Sequence, residues 1–528
     1  MARFWGLRGR RLGTAVWTLA MFALMSFGYN QAVAGGVLGN DSFNRQFPQM
    51  DTLHTTGGKQ EHNSTIQGTV VALYTLTGTL GALACTVFGD VIGRRRTIFL
   101  ASGVQIVGEI LMGTSFSFAQ FIVSRIVVGL GTGGILATVS VWQAELAKAE
   151  SRGEHVSAFG IFGGLGLALA CWVDFGASYA RSSSFAWRFP YMASIILSAV
   201  VMVFIFTLPE SPRWLIKVGR IDEAREVMHL RYDTDDHNEV VEAEIQGILA
   251  SFERAKSVSL AAMFTMGPER IFHRLVLAAL TQMMLQMSGV NIVSYYAALI
   301  YEVNLGFSAT VAQILAASSM FVIVLGSVVC SYTVDRFGRR ALMLTSACGM
   351  TVCMSCLAGL TSRTEKAAIN AAVFFLFFYY FTYTIGFLGI PFLYASEIAP
   401  VHLRAAICGV STAVSWLFNF LVVEVTPIGF THVHWRYFIP YAVLNLSWIP
   451  IVYYLLPETN GRSLEEIDEI FTRSNNIFDC VKVAKQLSKR RPRGFVDEET
   501  VIHADQKSPL GVAKRDVEEA EAEVEKSE

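Results

Sequence analysis

Charge is what this sequence has least of. Asp, Glu, Lys and Arg make up 16% of its 528 residues and nearly cancel at a net −1, so no nucleic-acid partner is expected. The eight cysteines lie mostly inside apolar runs, and Cys353 with Cys356 has no His or further Cys beside it. A metal site is therefore not expected. No nucleophile, metal cluster or phosphate-cradling loop suggests catalysis, so neither an enzyme nor a cofactor is expected. A small-residue cleavage signal is also missing after the first apolar run, which follows Arg3, Arg8, Arg10 and Arg11. That run reads as a retained helix, not a removed leader.

Apolar residues fill the space that charge leaves. They make up 53% of the chain, with a mean hydropathy of +0.44 and 37 Phe, the composition of a polytopic membrane protein. Runs of spanning length fall near 14–37, 66–88, 97–115, 118–142, 156–178, 189–208, 275–301, 308–333, 341–360, 368–394, 405–428 and 437–456. The expected fold is an all-α integral membrane protein of twelve transmembrane helices, a six-helix bundle over 1–208 and another over 273–456. Between them, 209–272 is polar. Val241, Ile245, Ile248 and Phe252 recur there at helical spacing, which predicts a cytosolic insert of short amphipathic helices lying on the inner face. A tail over 457–528 carries the basic block Lys489–Arg493 and then a mainly acidic end, and is expected to be largely disordered after about 470.

The sparse charges are placed unevenly. Arg94, Arg95, Arg96, Arg152, Arg213, Arg339, Arg340 and Arg404 fall in loops on the same side as the N-terminus, which predicts that both termini are cytosolic. The long loop on the other side, 40–65, holds sequons at Asn40 and Asn63, possible glycosylation sites.

One uncharged run, Leu275 to Tyr301, contains the chemistry that hydrocarbon least tolerates: Gln282, Gln286 and Asn291, with Gly289 between and Tyr295 and Tyr296 following. A single intramembrane amide is ordinarily glue between helices. Three beside a glycine and a tyrosine pair point to a solute, because each carboxamide offers a donor and an acceptor to something polar that must shed its water. Gln282 and Gln286 share a helical face, whereas Asn291 joins them only if the helix breaks near Gly289.

The chain also repeats itself. Asp90-Val-Ile-Gly-Arg94-Arg95 recurs as Asp335-Arg-Phe-Gly-Arg339-Arg340 at an offset of 245, Glu145 with Arg152 recurs as Glu397 with Arg404 at 252, and Pro209-Glu210 as Pro457-Glu458 at 248. Three landmarks at nearly one offset imply a duplicated six-helix unit with a site between the halves near the midplane. Loop arginines by themselves mark topology. Acids paired with them at matching positions suggest a latch of charges at the inner gate.

These stretches carry a resemblance. The segment from Gln282 to Tyr296, together with Ser124-Arg125-Ile-Val-Val-Gly-Leu-Gly131, Pro209-Glu-Ser-Pro-Arg-Trp214 and Pro457-Glu-Thr-Asn-Gly-Arg462, resembles the signatures of the sugar porter family of the major facilitator superfamily, from Phe27 to Asp468. The resemblance implies a major facilitator fold and a monosaccharide, hexose or pentose, bound by Gln282, Gln286, Asn291 and Asn419 beside Phe392 and Trp416, with Tyr295 and Tyr296 at the outer gate. It implies that Asn30, with Arg125, stands where proton-coupled members have Asp, so facilitated diffusion across the plasma membrane is the first reading. Trp172-Val-Asp174-Phe-Gly176 is similar to fungal sugar porters that include polyol and glycerol carriers, which keeps proton-coupled symport open with Glu109 as a substitute acid. A transporter-like nutrient sensor is the third reading.

Overall fold

The computed structural model describes residues 6–487, apart from 147–151, 181–182, 235–238, 257–259, 364, 401–402 and 463. The basic block and the acidic end of the tail lie outside the described residues, as does the side chain of Arg152. Among the described residues there are helices and turns and no strand. Hydrocarbon offers the backbone no hydrogen-bond partner, so each apolar run satisfies its own peptide groups as helix.

The first half contains α1 (Gly9–Val37), α2 (Gly58–Ile92), α3 (Arg94–Gly113), α4 (Phe118–Leu146), α5 (Arg152–Ser178) and α6, which is Phe185–Ala193 and Ile195–Phe204 in series. The second contains α7 (Ile271–Met287 then Val290–Leu299), α8 (Ala309–Phe337), α9 (Arg339–Leu360), α10 (Lys366–Tyr383 then Ile390–Ile398), α11 (Arg404–Val433) and α12 (Phe438–Leu455). By length and apolarity alone the last two form a single run, Ala406–Leu455, of 50 residues. That run would be about 75 Å long as one helix, more than twice a hydrocarbon core. It turns back at His434, where φ is +49°, and Tyr437 then bonds Thr426 Oγ1 at 3.2 Å.

The duplication extends beyond the repeated motifs. Gly93 and Gly338 hold φ of +96° and +90° at the same turn, a conformation open to glycine. A Cβ there would lie 2.8 Å from a Glu210 oxygen in one half and 2.6 Å from a Glu458 oxygen in the other. Trp142 Nε1 donates to the Pro209 carbonyl at 3.1 Å, and Tyr394 Oη to that of Pro457 at 3.2 Å. Two chemically different side chains thus make one bond at equivalent places.

Short helices Pro212–Lys217, Ile221–Tyr232 and Glu239–Lys256 follow α6. Val241, Ile245 and Ile248 bury themselves in one cluster with Leu12 and Val16 of α1. The amphipathic stripe is thereby seated on the arginine-bearing end of the first half.

Candidate functional site

α7 breaks where its glycine stands. Gly289 has φ +102° and separates Ile271–Met287 from Val290–Leu299. The break turns Asn291 back so that its Nδ2 donates to Gln286 Oε1 at 2.7 Å, while Gln286 Nε2 donates to Ser415 Oγ of α11 at 2.8 Å. α10 is interrupted too, by a wide turn over Thr384–Leu388 ahead of Pro391, and presents Phe392. These two broken helices face α1 and α5 of the first half around a cavity whose empty space, open mouth included, is about 780 Å³.

Gln286, Asn291, Phe392, Trp416 and Asn419 all line this cavity. Asn419 faces the buried Tyr295 hydroxyl, and its Oδ1 makes no close hydrogen bond among the described residues, so an acceptor is left for a ligand. Gln282 does not line it. Its amide is fully buried one turn from Gln286, and neither amide atom has a partner among the described residues. The expectation left out Gln31, Ser294, Tyr383 and Thr412, which add polar atoms to the lining, and the rings of Phe27 and Phe159. Phe27 lies 5.9 Å from Trp416 and 5.9 Å from Phe159, which is 5.3 Å from Phe392. The four rings form a chain that crosses between the halves. Phe159 carried no signal of its own, since a lone Phe in an apolar run is ordinarily packing.

Tyr295 and Tyr296 sit beyond the cavity, toward the end opposite the arginines, and both are buried. A Cβ on Gly35 of α1 would come within 2.5 Å of the Tyr295 carbonyl oxygen, and one on Gly68 of α2 within 2.4 Å of that of Glu424. Thr69 Oγ1 donates to Glu424 Oε1 at 2.6 Å across the same seam. The halves are closed together at this end.

At the arginine end the charges form two matched networks. Arg94 bonds Asp90 at 2.8 Å and Glu145 at 3.1 Å; Arg339 bonds Asp335 at 2.9 Å and Glu397 at 2.8 Å. Glu210 accepts from the backbone N–H of Arg94 and Arg95 at 3.2 and 3.1 Å, and Glu458 from those of Arg339 and Arg340 at 3.0 Å each. Burial raises the Glu210 carboxyl above its ordinary pKa, against the pull of those N–H groups. The side chain of Arg95 donates to the Phe206 carbonyl and that of Arg340 to the Tyr453 carbonyl. Arg404 opens α11. Among the described residues the bonds of Arg94 and Arg339 stay within their own half, because each meets an acid one turn before it and another on a neighbouring helix of the same bundle.

Asn30 Nδ2 donates to Glu109 Oε1 at 3.1 Å, and Arg125 donates to the Val71 carbonyl at 2.9 Å under the Tyr74 ring. Asn40 caps a short helix by accepting from the Ser42 N–H at 2.9 Å, and the Asn63 amide nitrogen donates to the carbonyls of Pro48 and Asp51 at 3.0 and 2.7 Å. Both sequon asparagines are buried, in place of the exposed position that a glycan acceptor needs.

The family profile described as "Sugar (and other) transporter" matches residues 16–471. The chain belongs to this family. A sugar transporter of Saccharomyces cerevisiae, STL1, is 32% identical over 476 residues, covering 89% of this chain and 83% of its own. The MFS-type transporter oryC of Aspergillus oryzae is 33% identical, covering 94% and 92%. The proton:xylose symporter XylE bound to 6-bromo-6-deoxy-D-glucose superposes with a TM-score of 0.73 at 23% identity, covering 87% of this chain and 99% of its own, which establishes the major facilitator fold for this sugar transporter.

Proposed function

We propose that this chain carries a monosaccharide, a hexose or a pentose, across the plasma membrane by alternating access, with the arginine end cytosolic. One observation carries the reading. The cavity between the two halves combines the carboxamides of Gln286, Asn291 and Asn419 with the rings of Phe392 and Trp416. Carboxamides replace the water on sugar hydroxyls, and flat rings suit the C–H face of a pyranose. Gln282 belongs to the same set, because no partner among the described residues accounts for its buried amide. Tyr295 and Tyr296 form the outer gate, and the Arg94 and Arg339 networks hold the inner end of each half as it rocks; Arg152 and Arg404, which open α5 and α11, are counted with them by the sequence repeat.

Position 30 holds an amide that cannot titrate, so facilitated diffusion is the first reading. Proton-coupled symport of a sugar or polyol is the second. It is favoured by Glu109, an acid buried in the first half against Asn30 and Gln105.

The test is uptake of labelled glucose, xylose, maltose and glycerol by vesicles holding the purified protein, with and without a pH gradient. Equilibration of a monosaccharide without accumulation is expected. Accumulation driven by the gradient would select the symporter, and selective binding without flux would replace transport by sensing.

A further inference from the structure

A carboxylate on α5 is left unused by the transport reading. Asp174 is 4% exposed, and neither of its oxygens has a side-chain partner among the described residues; the Gly36 N–H is the donor closest to it. It rests on α1, where a Cβ on Gly36 would stand 2.3 Å from its Oδ2, so only the missing side chain makes room for it. Together with Gly35, Ser294 and Gln313 it lines a narrow cavity that shares Ser294 with the main one, at the seam of α1 and α5 with α7 and α8. Gly35 is also the residue on which Tyr295 is seated, so this cavity exists because the outer end is closed.

The surroundings do not support an ionised carboxylate. Among the described residues the titratable groups that feel its charge include Tyr29 on α1, Cys171 on α5 itself and Tyr191 on α6, and Tyr191 also feels the Arg125 guanidinium of α4. α7 contributes the hydroxyl of Ser294 and α8 the amide of Gln313. An unpaired charge in so apolar a lining carries a cost that a bound proton would remove. Sodium would need five or six oxygens, more than this lining offers, whereas a proton needs one.

We propose that Asp174 is a proton-binding site that must be filled from the outer water before the outer gate can close. The O–H bond forms on the carboxylate while α1 and α7 are apart, persists through the closed state, and breaks when the seam reopens and the proton returns to the outer water. Outer acidity then sets how often the gate closes without driving accumulation. This rests on the transport reading for its cycle, but the proton itself can be sought without transport.

Two measurements test it. The first is uptake of whichever labelled monosaccharide equilibrates, at outer pH from about 5 to about 8 with the inside held near neutral. Uptake by the wild type should fall by up to about tenfold per pH unit, and Asp174→Asn should be flat with pH and as fast as the wild type in acid. Unchanged pH dependence in Asp174→Asn, or dependence on sodium, overturns the site. The second is the infrared carbonyl stretch of a protonated acid in the purified protein near neutral pH, which Asp174→Asn should abolish and Glu109→Gln should leave. A band lost only in Glu109→Gln places the proton elsewhere and overturns the inference. If no labelled solute equilibrates while the Asp174 band is present, the transport reading fails and the proton site stands.

Discussion

Burying a carboxamide with neither end bonded costs roughly 1–3 kcal/mol, and Gln282 is buried in this way inside α7. A cost of that size at one position calls for a compensating contact, which under the proposed reading a bound solute would supply. Gln282→Leu should therefore do two things at once: raise the thermal midpoint of the empty protein, because the orphaned amide is gone, and raise KM for uptake about tenfold. Asn419→Ala should raise KM by roughly five- to tenfold, the worth of one hydrogen bond in a dry site. Concentration series of labelled uptake read both, and unchanged KM in the pair would remove these amides from the site. The amides were legible in the sequence because hydrocarbon makes them conspicuous. Which of them reaches the cavity was not, since that depends on how far the chain turns at Gly289, and a φ of +102° is a property of the folded backbone.

Helix seams decide how the site opens, and they are built on glycine. α1 offers Gly35 to the Tyr295 carbonyl and Gly36 to Asp174, so one helix face without side chains seats both the tyrosine of α7 and the buried acid. Gly35→Ala puts a Cβ 2.5 Å from a backbone oxygen that has no flexible end to swing away. Overpacking of this kind costs about 1–3 kcal/mol, all of it in the closed state. Turnover at saturating solute should fall about ten- to hundredfold, with KM changed far less, because the amides on α7 and α11 are untouched. A KM shift as large as the turnover loss would place the defect in binding. At this scale the sequence announced the twelve apolar runs, and the Pro391 break was readable because proline removes a backbone donor. The ring chain Phe27–Phe159–Phe392 and the seat of Asp174 were hidden, because both join residues from different helices that only the packing brings together.

The whole molecule is one unit used twice, and its charges show how far the copies are independent. The same bonds recur around Arg94 and Arg339 down to the two backbone N–H groups held by Glu210 and Glu458, and the bonds that Arg94 and Arg339 make among the described residues each stay inside their own bundle. Arg94 and Glu145 are each 12% exposed, and Arg339 and Glu397 are 9% and 18% exposed. Removing either arginine should therefore cost less than breaking a fully buried pair and more than breaking a surface one, about 2 kcal/mol. Networks without common partners add. Arg94→Gln and Arg339→Gln should lower the thermal midpoint of the detergent-solubilised protein by similar amounts, and the double variant by their sum. This separates two pictures of the inner rim. If the networks stiffen each half as a rigid body, the sum holds in every state. If they grip one another when the inner end shuts, the double variant departs from the sum by roughly 0.5–3 kcal/mol in protein trapped with that end closed. Additivity there would leave the rocking to the helix seams, with the charges keeping each bundle whole while it moves.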